Sequence, residues 1–499
     1  MAPAAWVVAT GVACAYGLFK EMRPSEPFLT PYLTGPDKNL TEDQVNSHVY
    51  PVWTYSYLVA LVPVFLLTDL LRYKPVVIFE GVAYVITWAL LLWGQGVLVM
   101  QFMQFVYGLA TATEIAYYSY IYAVVETERY QQVTSYTRGA VLFGRFASGA
   151  LGQALVSSKA TSYYGLTCIS AIAVSIAACI ALFFPSVKRS VYFYHTRSQS
   201  IGDAVITDTV SIVQTESSPS VSDGVMVEGY GSTEPDPQET QEERPAHSTG
   251  NDTAISPRRG VVRRVKMAAK KCCVQNFGPL LDDFRQCYGN KYLLKWSIWW
   301  AIATCGNFQV GNYVQNLWQT IYESRPNPQV YNGAVEAAAT LLGAIVVLLL
   351  SLLKANWKVF GELFIGVVSI VDAILLIAMA LTPSVWVAYS TYVIFRASYQ
   401  MVITIASFQI ASQLTIERYA LVFGCNTFLA LLLETILTAV VVDHRGLHVR
   451  VRIQFIINGS YFLLMGLIFL AVALYGLRQI GWRRAWRVRR GEPYVELDA

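Results

Sequence analysis

Between residues 100 and 124 an otherwise apolar run carries Gln101, Gln104, Tyr107, Thr111, Glu114 and Tyr118, spaced three, three, four, three and four apart. Those intervals put them on one face of a helix. A stripe of amides, phenols and a carboxylate is incompatible with lipid, so it either lines a cavity or packs on polar neighbours. A second run holds Lys20, Glu21, Arg23 and Glu26 beside Pro24, Pro27 and Pro31. The prolines remove backbone hydrogen bonds and should kink or open that helix. A carboxylate at such a break suits a substrate or ion site; a long helix end outside the membrane is the other reading. Tyr50, Trp53 and Tyr57 share a third face, as an interfacial belt or as a cation–π wall for a positive ligand.

The later part of the chain adds Asn307, Asn312 and Gln315, then Glu336, then Arg396 and Tyr399, then Glu434, while Arg145 sits mid-way along an earlier run. A cavity built from Glu26, Glu114, Glu336 and Glu434 against Arg145 and Arg396 leans negative and suits an organic cation with hydrogen-bonding groups. The alternative is structural: either arginine pairs with these carboxylates and weakens the field. The motifs GxxxxGK[ST], HExxH and GxSxG are absent, so neither ATP hydrolysis nor familiar enzyme chemistry is indicated. The eight cysteines show no CxxC spacing, and no metal or cofactor is expected.

The elements that must hold these groups are membrane helices. The 499 residues are 55% hydrophobic and 14% charged, against roughly 25% charge in a soluble domain. A span needs about 20 mostly apolar residues, and twelve runs qualify: 6–33, 50–70, 75–96, 100–124, 139–158, 164–184, 292–317, 332–353, 359–381, 386–411, 420–442 and 453–476. The first is not read as a cleaved signal peptide, because Glu21 and RPSEPF stand where small residues should lie. The organisation is thus a six-helix half (1–184), a central loop (185–291), a second six-helix half (292–476) and a basic tail (477–499). Residues 198–256 read as disordered. The basic stretch 258–271 reads as a solvated linker, with anionic lipid or acylation at Cys272 or Cys273 as further options.

Arg72, Lys74, Arg129, Arg138, Lys188, Arg189, Lys354, Lys358, Arg418 and the tail arginines fall on one side of the predicted spans. Both termini and the central loop are therefore expected in the cytoplasm. The sequon at Asn39 then lies in the first external loop, open to glycosylation. Six helices, a long loop and six more is the layout of the major facilitator superfamily, whose site lies between the halves. The segment from Asp69 through Arg72 to Lys74 resembles that superfamily's cytoplasmic loop motif, which implies a gate. A channel is disfavoured, as no single helix carries a repeated polar lining. Lipid and a small substrate are the expected partners, nucleic acid is not, and the transport unit is expected to be a monomer.

RPSEPFLTPYLTGPDKNLT (23–41), YPVWTYSYL (50–58), TDLLRYKPV (68–76), TEIAYYSYIY (113–122), YNGAVEA (331–337) and ERYALVFGCNTF (417–428) resemble solute carrier family 19, the family of the reduced folate carrier and the thiamine transporters. The resemblance spans both helical halves and leaves out the central loop and tail. It implies a plasma-membrane carrier working by alternating access. Glu114 stands where the folate carrier has arginine and the thiamine transporters glutamate. Glu434 stands where the folate carrier has lysine and the thiamine transporters glutamine. Asn312 matches the thiamine-transporter asparagine. By resemblance, Glu26, Tyr50, Trp53, Trp88, Tyr107, Asn312 and Glu336 fall on thiamine-contacting positions, and Gln104, Glu114 and Tyr399 join them in the expected site.

Three departures accompany the match. Gln104 replaces a glutamate, Arg145 replaces an apolar or aromatic residue, and Lys20 and Glu21 replace small uncharged ones. The expectation for Arg145 is a partner such as Glu434 or Glu336. The expected substrate is thiamine; the alternatives are folate or another anionic vitamin drawn by Arg145 and Arg396, another heterocycle such as pyridoxine, or a receptor that binds without transport.

Overall fold

The structure, a computed structural model, describes residues 3–71, 73–125, 129–186, 282–322, 329–352, 357–414 and 416–480. These residues form helices and connecting turns, with no strand among them. The long apolar runs leave the backbone no partner but itself, which in a bilayer selects helix. The early group comprises α1 (Pro3–Glu21), α2 (Leu29–Thr34), α3 (Tyr50–Leu70), α4 (Lys74–Trp93), α5 (Gly96–Val124), α6 (Tyr130–Ser157) and α7 (Tyr163–Ala181). The later group comprises α8 (Lys291–Tyr322), α9 (Asn332–Leu352), α10 (Trp357–Leu381), α11 (Val385–Ala411), α12 (Ile416–Leu437) and α13 (Val451–Ile480). The stretch 198–256, the basic segment 258–271, Cys272, Cys273 and the tail from 481 lie outside the described residues.

Among the described residues nine helices, α4–α7 and α9–α13, are long and apolar enough to cross a membrane. Helix α8 misses that criterion for a physical reason: it buries Asn307, Gln309 and Asn316, polar groups that need protein partners rather than lipid. It also runs past the expected 292–317 to Tyr322, and α6 starts at Tyr130 rather than 139. The α6 extension, YQQVTSYTR, is polar and hydropathy alone does not mark it.

The first run does not stay one helix. It stops at Glu21, resumes as a single tight turn at Glu26–Phe28 and continues as α2. Pro24 cannot donate to the helix ladder and disfavours helical geometry at Arg23. The freed Ser25 N–H instead donates to Ser170 Oγ on α7 at 3.0 Å. Glycines let neighbours close around this break. A methyl on Gly144 would stand 2.7 Å from the Leu18 carbonyl oxygen, and one on Gly152 would stand 2.7 Å from that of Pro24.

The helix pairs that join the groups include α6 with α9, α3 with α12, and α2 with α8. The first pair meets backbone to backbone. A methyl on Gly149 would lie 2.7 Å from the Gly333 carbonyl oxygen, and one on Gly333 equally close to that of Gly149. Overpacking such a contact costs about 1–3 kcal/mol. Gly149→Val should therefore lower the melting temperature of the detergent-purified protein, whereas Gly139→Val, at a position with open space around it, should lower it less; a fluorescence thermal-shift assay compares the two.

Candidate functional site

The break in the first run sets out a string of alternating charges. Lys20, at the end of α1, is fully buried, and its Nζ lies 3.0 Å from Glu80 Oε1 on α4 and 2.9 Å from Glu114 Oε1 on α5. Glu21 accepts from Arg145 Nε at 2.8 Å and from Arg23 Nη2 at 3.1 Å. Arg23 Nε is 3.2 Å from Glu26 Oε2. Its Nη1 donates to Tyr107 Oη at 3.1 Å, and that hydroxyl donates to Glu26 Oε1 at 2.9 Å. Four carboxylates (Glu21, Glu26, Glu80, Glu114) thus face three cations (Lys20, Arg23, Arg145). With every group ionised, the cluster carries one net negative charge.

Burial sorts these groups into sealed and open. The side chains of Glu26 and Glu114 are 42% and 23% exposed, while Lys20, Glu80, Glu21 and Arg23 are at 6% or less. Arg145 is the open cation, at 45%. Its partner is Glu21, which corrects the expectation of Glu434 or Glu336. The reason is packing: Gly144 brings α6 against α1 within the same group, so the guanidinium meets a carboxylate of its own helix pair before it can reach the later one.

Aromatic rings flank the open carboxylates. Trp53 packs on Tyr57 and Tyr107, and edge-on to Phe308 of α8 with centroids 6.3 Å apart. Trp53 Nε1 donates to Thr111 Oγ1, and Trp88 Nε1 to Ser25 Oγ, both at 3.2 Å. Trp88, Tyr84 and Tyr107 also surround the Arg23 guanidinium, at 5.3–6.0 Å from their centroids. The polar stripe on α5 therefore serves both readings of its sequence. Gln101 donates to the His48 carbonyl and Thr111 braces Trp53, while Tyr107 and Glu114 join the charged string. Gln104 is buried.

The later helices contribute separate groupings. Glu434, fully buried, accepts from Asn312 Nδ2 at 2.8 Å and from Thr54 of α3 at 3.4 Å. Glu336 accepts from Tyr392 Oη at 2.7 Å, Arg396 donates to Asn307 Oδ1 at 2.8 Å, and Tyr399 pairs with Thr304. Neither arginine is thus bonded to Glu336 or Glu434. Glu80 and Phe308 are site residues absent from the sequence candidates. Glu80 carried a usable signal, a carboxylate in the middle of an apolar span; Phe308 carried none, because a phenylalanine in a membrane helix is unremarkable.

Polar links between the groups gather at the end bearing the 35–49 and 443–450 connections. Gln315 Nε2 donates to the Glu26 carbonyl at 2.9 Å and Asn332 Nδ2 to that of Pro27 at 2.9 Å. Thr30 joins Tyr50 Oη at 2.7 Å and Asn316 at 2.9 Å. Tyr55 Oη donates to Asp443 Oδ2 at 2.8 Å, His448 Nε2 lies 2.7 Å from Asp43, and His48 stacks on His444 at 4.2 Å. Asn39 is exposed nearby. Of the expected gate at the opposite end, Lys74 opens α4, whereas Arg72 and the Asp69 side chain lie outside the described residues.

Partial burial pushes the Asp443 carboxyl up, but the Arg445 N–H, the Tyr55 hydroxyl and the His444 and Arg445 charges outweigh it and hold the group below its ordinary value. A depressed carboxylate keeps its link above the ordinary carboxylate range and loses it as pH falls through the lowered value. The Tyr55–Asp443 link should therefore hold from pH 5 to 8, and Tyr55→Phe should loosen this end, raising label uptake, at any of those pH values. The measurement is labelling of a cysteine introduced at Thr111 by a bulky thiol reagent. For the charged string, Arg145→Gln leaves buried Glu21 with one cation. That should lower thermal stability by about 1–3 kcal/mol after discounting for the open guanidinium, and Glu21→Gln in the same chain should recover part of the loss.

Comparison with known proteins agrees with the fold. Residues 4–457 match the family described as Reduced folate carrier. The chain is 46% identical to Thiamine transporter 1 of Homo sapiens over 468 residues, covering 93% of this chain and 89% of that one. It is 44% identical to human Thiamine transporter 2 over 470 residues, with 94% and 90% covered, and 38% identical to the human Reduced folate transporter over 469, with 93% and 72% covered. A crystal structure of a POT family transporter superposes with a TM-score of 0.59 at 12% identity, covering 94% of this chain and 96% of that one. With its apolar spans and its two helical groups, the chain belongs to the reduced folate carrier family and is a multi-pass membrane transporter of the major facilitator fold.

Proposed function

We propose that this transporter carries thiamine into the cell across the plasma membrane. The observation that carries the reading is the pair of open carboxylates, Glu26 and Glu114, beside the rings of Trp53 and Tyr107. A flat heterocycle bearing a fixed positive charge needs a ring to stack on and an anion within reach. The relatives named Thiamine transporter 1 and 2 support the same substrate. In this reading Glu114 takes the thiazolium charge and Glu26 the aminopyrimidine, Trp53, Trp88 and Tyr107 hold the rings, and Asn312 positions the ligand from the later half. Tyr50, Gln104, Glu336 and Tyr399 complete the cavity.

Transport is by alternating access of two six-helix halves with twelve spans, acting as a monomer. The basic loops support a cytoplasmic position for both termini; in this reading the end bearing the polar links faces outside. Asn39 is then on the glycosylated side. Asp69, Arg72 and Lys74 close the opposite end when the carrier turns outward.

A second reading, a reduced folate or another anionic vitamin, is favoured by one observation: Arg145 is 45% exposed. Against it, that guanidinium is already engaged by Glu21. Uptake of radiolabelled thiamine and of reduced folate, in cells expressing the chain and in matched controls, separates the two. Saturable thiamine uptake without folate uptake is the expected result, with Glu114→Gln and Trp53→Ala each cutting it about tenfold or more at unchanged surface level. Folate uptake in its place would overturn the substrate assignment.

A further inference from the structure

Lys20 touches two carboxylates of different standing. Glu80 is sealed, and Glu114 keeps 23% of its side chain open. Burial explains the first contact, because a buried ammonium needs a charged partner. It does not call for the second: Glu80 alone supplies that charge, and an open carboxylate can be satisfied by water. Yet Nζ is as close to Glu114, at 2.9 Å, as to Glu80, at 3.0 Å. The order inward from open space is Glu114, Lys20, Glu80, with one cation shared between an accessible anion and a hidden one.

Resting on the proposed function, we infer that Lys20 is a tethered competitor for the substrate's positive charge. In the empty carrier its ammonium holds Glu114. An arriving cation takes over that carboxylate, and Lys20 draws back onto Glu80. The retreat leaves no bare charge, because the ammonium keeps the Glu80 carboxylate and lies over the Tyr117 ring at 4.7 Å, with Tyr16 at 5.9 Å and Tyr118 at 5.8 Å. On the cytoplasmic side the exchange runs backwards, and Lys20 displaces the ligand from Glu114 as it leaves. Like charges either side of one carboxylate repel through a medium of low dielectric, so Lys20 lowers cation affinity and speeds release. It is a positioning residue that acts through Glu114.

The test compares binding of thiamine with binding of an uncharged isostere, its thiazolium replaced by a neutral aromatic ring, to the purified full-length protein by isothermal titration. Lys20→Gln with Glu80→Gln removes the competitor and its hidden partner together, so no buried charge is stranded. The preference for thiamine over the isostere should rise about tenfold. Glu80→Gln alone leaves Lys20 only Glu114 to hold, and the preference should fall about as far, although Glu80 is out of reach of any ligand. A purely structural role would weaken both ligands alike, so preferences unchanged from wild type in either folded variant overturn the inference while the thiamine reading stands. A wild-type protein that binds no thiamine overturns both.

Discussion

A charge in hydrocarbon must find its opposite, and the architecture of the early half follows from that demand. Three cations and four carboxylates converge where α1 gives way to the unwound turn, and each is within bonding distance of a partner. Removing one member of such a set exposes the others to the full desolvation penalty. The proline-broken segment, the glycines of α6 and the tyrosine shell of Lys20 are arrangements that bring those partners together. The exposed carboxylates of the set are Glu26 and Glu114, so its negative excess lies toward the open side.

Much of this was visible in the amino-acid sequence. Hydropathy located the helices, since in a bilayer a continuous apolar run has one structural outcome. Pro24 and Pro27 marked the break in the first helix, and the spacing on α5 placed Tyr107 and Glu114 on one face. Pairing was a different matter. Arg145 looked equally able to serve Glu336 or Glu434, because a sequence does not say which helices are neighbours. Only the close approach permitted by Gly144 delivers the guanidinium to Glu21. Glu80 was legible in principle, and Phe308 acquired its place purely from tertiary packing against Trp53.

The departures from the family pattern also look different once their neighbours are known. Lys20 lies against Glu80, and Glu21 against Arg145. Two unusual charges on α1 are thus each answered from another helix, and Glu21 with Arg145 makes two of the departures one neutral exchange. The wall behind the open carboxylates is thereby held by ionic rather than apolar contacts. Such a wall is more directional, because an ion pair has a geometry that a packed methyl group lacks.

The closed end has a property of its own. Gln315 and Asn332 grip the carbonyl oxygens of Glu26 and Pro27, not their side chains. The Pro27 oxygen is left over because Pro31, four residues on, has no N–H to offer it, while that of Glu26 accepts the Leu29 N–H as well. A latch made of main chain is blind to residue identity at its own site: the side chain at 26 can drift through evolution, retuning what the cavity accepts, while the mechanical coupling between the halves goes on unchanged. Selectivity and closure are thereby separable traits, borne by different atoms of the same residue.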